Sequence, residues 1–114
     1  MKSFNEWMNE GRAPRINDSE YYFNKRVVCA DGFSISIQAN NGAYCQPRRD
    51  IKDISSYYEF ELGFPSDKDE SIMQYAEDPE SPVDTVYPYV PRHLVEKMIE
   101  SHGGIAAFAK PKAA

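Results

Sequence analysis

The sequence predicts one α+β domain: an antiparallel sheet of about four strands, two hairpins in a meander, with a C-terminal helix and a short N-terminal helix on one face. Three observations carry this reading. Residues 33–38 alternate strictly, Phe33-Ser34-Ile35-Ser36-Ile37-Gln38, as a half-buried strand does. Leu94, Val95, Met98 and Ile99 repeat at helical spacing between Pro91 and the Gly103-Gly104 pair. The chain has 114 residues, 13.0 kDa and 41% apolar residues, which suits a single core and excludes wholesale disorder. Its apolar runs are only a few residues long, too short to span a membrane.

Residues 3–10 predict a short helix, because Ser3 and Glu6 have capping-box spacing, Phe4, Trp7 and Met8 share a face, and Gly11 follows. Pro14, Asn17 and Asp18 then read as an irregular connection. Strand character begins near Tyr21 and is strongest over residues 26–29, before an Asp31-Gly32 turn and the alternating strand. Asn40-Asn41-Gly42 reads as a second turn, with residues 43–46 returning as a third strand that Pro47 stops. After a charged loop, residues 57–64 alternate again, with Tyr58, Phe60, Leu62 and Phe64 inward and Tyr57, Glu59 and Glu61 outward. Residues 66–82 read as a long ordered loop tacked down by Ile72, Met73 and Tyr75, with a brief helix over 70–75 as the lesser alternative. Thr85, Val86 and Tyr87 suggest an edge strand, flanked by Pro88 and Pro91, and residues 91–102 form the clearest helix. The domain is expected to cover residues 1–105, with 106–114 as a flexible tail.

The N-terminus carries Lys2 but no apolar stretch, and Glu6 and Glu10 interrupt it, so neither a secretory signal nor a transit peptide fits and a cytoplasmic location is expected. Cys29 and Cys45 are expected as free thiols. A two-residue turn at Asp31-Gly32 turns Cys29 away from Phe33, Ile35 and Ile37. A three-residue loop with a bulge instead puts both thiols on one face, but roughly 13 Å apart along the strands. Neither register brings the Cα atoms within the roughly 7 Å that a disulfide requires.

Catalytic motifs are scarce. The chain has no phosphate-cradling glycine loop, no G-x-S-x-G, no H-E-x-x-H and no pair of cysteine doublets. No catalytic residue, metal site or cofactor is therefore assigned, and the chain is not read as an enzyme. His102 falls in the last helical turn, where an imidazolium complements the helix end, and His93 lies in the first turn on the exposed side. Glu59 and Glu61 stand roughly 7 Å apart on one strand face, a spacing that would suit glycoside chemistry only in a cleft. Asp67-Lys-Asp-Glu lacks the central glycine and the spacing of a calcium loop.

Charge patterning is more informative. The chain carries 13 basic and 18 acidic residues, net −5, yet residues 59–84 alone hold nine acids and one base. A concentrated acidic field can compete for a positively charged channel on a nucleic-acid-handling protein. The residues assigned to such a surface are Glu59, Glu61, Asp67, Asp69 and Glu70, continued by Glu77, Asp78 and Glu80, with Tyr75 and Tyr87 as adjoining contact area. The alternative is a small single-stranded nucleic-acid-binding module using Arg48, Arg49 and Lys52, next to Tyr44 and within reach of Lys25 and Arg26. Pairing of an exposed strand edge with a second copy is left open.

Six short strings, Ala30-Asp-Gly-Phe-Ser, Tyr44-Cys-Gln-Pro-Arg, Gly63-Phe-Pro-Ser, Tyr75-Ala-Glu-Asp-Pro-Glu, Tyr87-Pro-Tyr-Val-Pro and Ser101-His-Gly-Gly, make residues 27–105 resemble small accessory proteins encoded in phages and prophages. That resemblance implies a context in which small acidic products bind and block a host protein, anti-CRISPR inhibitors of bacterial defence complexes among them. The expected function is thus a stoichiometric, phage-encoded inhibitor of a host nucleic-acid-handling or CRISPR effector protein, with a small uncharacterised enzyme as a further alternative.

Overall fold

Ser3 and Glu6 close the capping box that their spacing predicts: Ser3 Oγ accepts from the Glu6 N–H at 3.1 Å, and Glu6 Oε1 accepts from the Ser3 N–H at 2.9 Å. They start helix α1 (Phe4–Glu10). The computed structural model describes residues 2–15 and 18–110. Gly11 ends α1 where the chain passes the Phe108 ring, and a Cβ there would lie 2.6 Å from a ring carbon. Any larger residue would have to displace that ring.

Strands β1 (Arg12–Arg15) and β2 (Asp18–Asn24) then pair antiparallel, where an irregular connection was expected up to residue 19 and strand character only from Tyr21. This ribbon forms its own sheet and is tied on by side chains. Asn24 N–H donates to Gln38 Oε1, Gln38 Nε2 donates back to the Asn24 carbonyl, and Asn40 Nδ2 donates to the Tyr22 carbonyl. Residues 12–15 carry no local strand signal, and amides far along the chain fix the ribbon in place.

The main sheet contains β3 (Val27–Cys29), β4 (Ser34–Gln38), β5 (Glu59–Gly63), β6 (Val86–Pro91) and β7 (Ile105–Phe108), in the order β6-β5-β4-β3-β7, with every pair antiparallel. It therefore has one strand more than the four or so expected. The α+β class holds. The β3–β4 connection is the three-residue loop: Cys29 N–H donates to the Phe33 carbonyl, and Gly32 takes φ 95°. Both thiols are free and buried.

Three expectations are corrected. Residues 43–46 form no strand, because Asn40 Oδ1 takes the Gly42 and Ala43 N–H groups and leaves Gln46 a single bridge to Glu59. Tyr58 and Phe64 are 59% and 49% exposed although Phe60 and Leu62 are fully buried, since the strand covers only Glu59–Gly63 and Phe64 turns out of the pleat at φ 51°. Tyr57, expected outward, is buried at the end of a 3-10 turn (Ile54–Ser56). The domain also runs past residue 105. Residues 105–108 form β7 on the open edge of β3, pairing Phe108 with Val27 and Ala107 with Val28. Gly103 and Gly104, at φ 89° and 85°, turn the chain from helix α2 (Arg92–Ser101) into that strand. Residues 111–114 of the expected tail lie outside the described residues.

The core lies between the sheet and the helices. Val27, Ile35, Ile37, Phe60, Leu62, Tyr87 and Val90 face Met8, Val95, Met98 and Ile99, with Ile54 and Ile72 filling the ends. Each fully buried aliphatic side chain stabilises by about 1.5–3 kcal/mol. Leu94, expected in the same stripe, is half-buried, and Pro91 caps α2 rather than occupying its first turn. No helix is long and apolar enough to cross a membrane.

Two arginines organise the connection between β4 and β5. Arg92 donates to the carbonyls of Tyr57 and Ile54 at 2.8 and 2.7 Å and to Asn5 Oδ1 at 2.6 Å. Arg12 donates to the Ile51 carbonyl, to Asn24 Oδ1 and to the Tyr57 hydroxyl. That hydroxyl also accepts from the Ile51 N–H and donates to the Arg49 carbonyl. Replacing Arg92 by Met keeps the apolar stem but leaves these carbonyls without a charged donor. Arg92→Met is expected to lower unfolding stability by about 2–3 kcal/mol, and Arg49→Met at an exposed site to change it by less than about 0.5 kcal/mol, both measured by urea denaturation.

Candidate functional site

The acidic segment is the connection between β5 and β6, residues 64–85, and its backbone is held nearly throughout. The Ser66 N–H donates to the Ser34 carbonyl, while Ser66 Oγ accepts from the Ser34 N–H. Asp69 caps a second 3-10 turn (Glu70–Tyr75), accepting from both the N–H and the hydroxyl of Ser71. Local i to i+3 bonds suit this stretch because its one fully buried apolar anchor, Ile72, needs no longer helix to reach the core. Glu77 N–H then donates to the Val86 carbonyl, Asp78 N–H to Thr85 Oγ1, and Asp84 N–H to the Ser81 carbonyl. Tyr87 closes the frame by donating its hydroxyl to the Pro82 carbonyl at 2.6 Å.

On this frame Asp67, Glu70, Glu77, Asp78, Glu80 and Asp84 are exposed. Asp78 Oδ1 accepts from the Glu80 N–H, and Glu70 pairs with Lys68 at 3.1 Å. The other predicted residues divide differently. Glu59 and Glu61 are half-buried on the sheet face opposite the core, where Glu61 Oε1 accepts from the Tyr44 N–H at 2.9 Å. Tyr75 is half-buried against the core. Tyr87 is fully buried, so it supports the surface from beneath and offers no contact area. Asp69 faces inward, its side chain only 12% exposed.

Asp69 points to a centre that sequence reasoning missed. His102 Nε2 lies 2.7 Å from Asp69 Oδ2, and its Nδ1 lies 2.7 Å from Asp31 Oδ2 in the β3–β4 loop. The imidazole stacks on Phe33 at 3.9 Å between centroids, with the planes 4° apart. A carboxylate has no proton to give, so both ring nitrogens must donate, and only the imidazolium does so. Burial opposes that charge, but the two carboxylates outweigh it and raise the His102 pKa above its ordinary value. The Asp31 carboxyl is held below the usual range by the Phe33 N–H and by His102. For Asp69, burial pushes upward, but Ser71 and His102 overcome it and the net shift is downward. The three residues lie far apart in sequence, and the one local signal, a histidine in a last helical turn, suggested a role at the helix end.

Nucleophilic chemistry finds little support among the described residues. Burial raises the Cys29 thiol to about 11, with Asp31 adding to the effect, and burial also raises Cys45. The His102 nitrogens are both engaged, and no group of three or more His, Cys, Asp or Glu is placed to hold a metal among the described residues. The basic cluster is exposed at Arg48, Arg49 and Lys52, with Arg48 over the Tyr44 ring at 5.3 Å. Arg26 does not join it, since its guanidinium donates to the Ser34 and Phe64 carbonyls, and Lys25 lies over Phe108.

Comparison with protein-family models, with curated proteins and with solved structures returns no match.

Asp69→Ala removes both the cap of the 3-10 turn and one carboxylate of His102. It is expected to lower stability by about 1–2 kcal/mol, against less than about 0.5 kcal/mol for Glu80→Ala, with thermal unfolding as the measurement.

Proposed function

We propose that this chain acts by binding rather than by catalysis, as a phage-encoded stoichiometric inhibitor that docks its acidic segment on a basic surface of a host nucleic-acid-handling or CRISPR effector protein inside the bacterial cell. The observation that carries this reading is the exposure of Asp67, Glu70, Glu77, Asp78, Glu80 and Asp84 together on a segment whose backbone is hydrogen-bonded in place. A framed loop loses little conformational entropy on docking, so more of its electrostatic attraction appears as affinity. Concentrated like charge also speeds the encounter with a partner of opposite sign and makes it sensitive to salt. Nucleic-acid-handling proteins carry such positive channels because they neutralise phosphates. The phage origin within this proposal comes from the short strings of residues 27–105 alone.

The test is capture from a bacterial lysate on immobilised wild-type protein and on a variant carrying Asp67→Lys, Glu70→Lys, Glu77→Lys, Asp78→Lys and Glu80→Lys, followed by mass spectrometry. Wild type is expected to retain a nucleic-acid-handling protein that elutes with rising salt or added heparin, and the variant is expected to lose it. Equal retention by both, or retention of no such protein, overturns the reading.

A second reading has one specific observation behind it. Tyr44 and Tyr89 are exposed with ring centroids 5.9 Å apart, and Arg48 lies over the former, an aromatic and cationic pairing that can stack on bases. Under that reading the protein shifts single-stranded probes at low salt, and Tyr44→Ala weakens the shift severalfold. Fluorescence titration showing no binding to single- or double-stranded probes removes it.

A further inference from the structure

We propose that His102 is a pH-controlled latch between the acidic segment and the β3–β4 loop: its imidazolium holds Asp69 of the one and Asp31 of the other, and loss of one proton releases Asp31. The inference rests on the reading of residues 64–85 as the binding surface, and it concerns how that surface is regulated.

The geometry sets the two states. A neutral imidazole has one donor and one acceptor, so one ring nitrogen would turn its lone pair on a carboxylate oxygen now 2.7 Å away. Repulsion then opens one side. Stacking on Phe33 holds the ring in place, so the imidazole cannot escape the conflict by rotating without losing that contact. Asp31, with its side chain 49% exposed, can turn to water, whereas Asp69 is 12% exposed and belongs to the cap of the 3-10 turn. The neutral ring therefore keeps its one N–H on Asp69 and opens toward Asp31, so the segment loses its tie to the β3–β4 loop while Ile72 and the paired Ser34 and Ser66 still hold it.

The charged neighbours from each packed element are few. The β3–β4 loop contributes Asp31, and the acidic segment contributes Asp69, with Asp67 and Lys68 lining the same cleft of about 290 Å³. Lys68 is engaged by Glu70. From β6, the Tyr87 phenol lies close enough to feel Asp69, and β7 brings no charge. With His102 raised above its ordinary value, the staple is fully present below that value and is lost as pH rises through the higher one. Asp31 and Asp69, both lowered, keep their side of it until pH falls below the usual carboxylate range. Release also removes one positive charge beside the acidic surface, so the same proton alters both the hold of the neighbouring loop on the segment and the field of the segment.

The test uses the free protein, by nuclear magnetic resonance of the His102 ring nitrogens together with amide hydrogen exchange over residues 31–33 across a pH series. Both nitrogens are expected to be protonated below the ordinary histidine value of about 6.5, with titration above it. Exchange of the Phe33 amide, which donates to Asp31 Oδ1 at 2.9 Å, is expected, after correction for its intrinsic pH dependence, to rise about tenfold through the same transition. His102→Gln is expected to sit at the faster level at every pH, and Asp69→Asn to lower the ring titration. Titration of His102 at or below the ordinary value, or exchange that does not follow it, overturns the latch. Should His102→Gln fail to fold, the wild-type ring titration and exchange decide the matter alone. Because no partner enters this experiment, failure of the latch leaves the acidic-surface reading standing, and failure of the charge-reversal capture leaves the latch standing.

Discussion

Two guanidinium groups and one phenol hold together the part of this molecule that has no regular structure. Between β4 and β5 the chain must bury Cys45, Ile54 and Tyr57 without a strand or a long helix to satisfy its backbone. Backbone polar groups withdrawn from water need partners, and an unpaired one costs as much as a lost hydrogen bond. Arg12, Arg92 and the Tyr57 hydroxyl supply those partners at fixed distances, and α1, the β1–β2 ribbon and the start of α2 are positioned by the same contacts. No buried side-chain nitrogen or oxygen among the described residues is left unpaired.

The acidic connection between β5 and β6 solves the same problem with different groups. Short caps from Asp69, Asp78 and Thr85 replace a ladder, Ile72 supplies the apolar anchor, and His102 joins the segment to two other elements. Long connections are uncommon in small domains and usually carry function. Here the anchoring groups point inward and the surplus carboxylates outward, so one sequence stretch provides both the support and the field. A surface built this way is ordered before it meets anything, which lowers the entropic cost of association.

Polarity of charge follows from this division of labour. The basic residues of the first half are partly consumed by structure: Arg12 and Arg26 donate to backbone carbonyls, while Arg48, Arg49 and Lys52 remain exposed. In the acidic segment Lys68 is paired with Glu70, and the other exposed acids stay solvated. The net charge of −5 is therefore unevenly distributed over the molecule, with seven acids against one base at residues 67–84.

Local patterning determined the elements whose causes are local. The capping box at Ser3 and Glu6, the alternation of β4, the helical stripe around Val95, Met98 and Ile99 and the glycine exit at 103–104 were legible because each depends on residues within one or two turns of one another. The concentration of acids was legible for the same reason, since charge is additive along a chain. Tertiary structure alone decided the rest. The β1–β2 ribbon depends on Gln38 and Asn40, β7 depends on the free edge of β3, and the exposure of Tyr58 and burial of Tyr57 depend on where β5 stops. Asp69 changed from a surface charge to a half-buried cap, and Tyr87 from contact area to core, because each found a partner that sequence proximity could not reveal. The sequence by itself determined which residues were charged, apolar or able to turn the chain. Which carboxylates reach solvent, and which one holds a histidine in its charged form, was settled by contacts between residues 31, 69 and 102, which only folding brings within hydrogen-bond range.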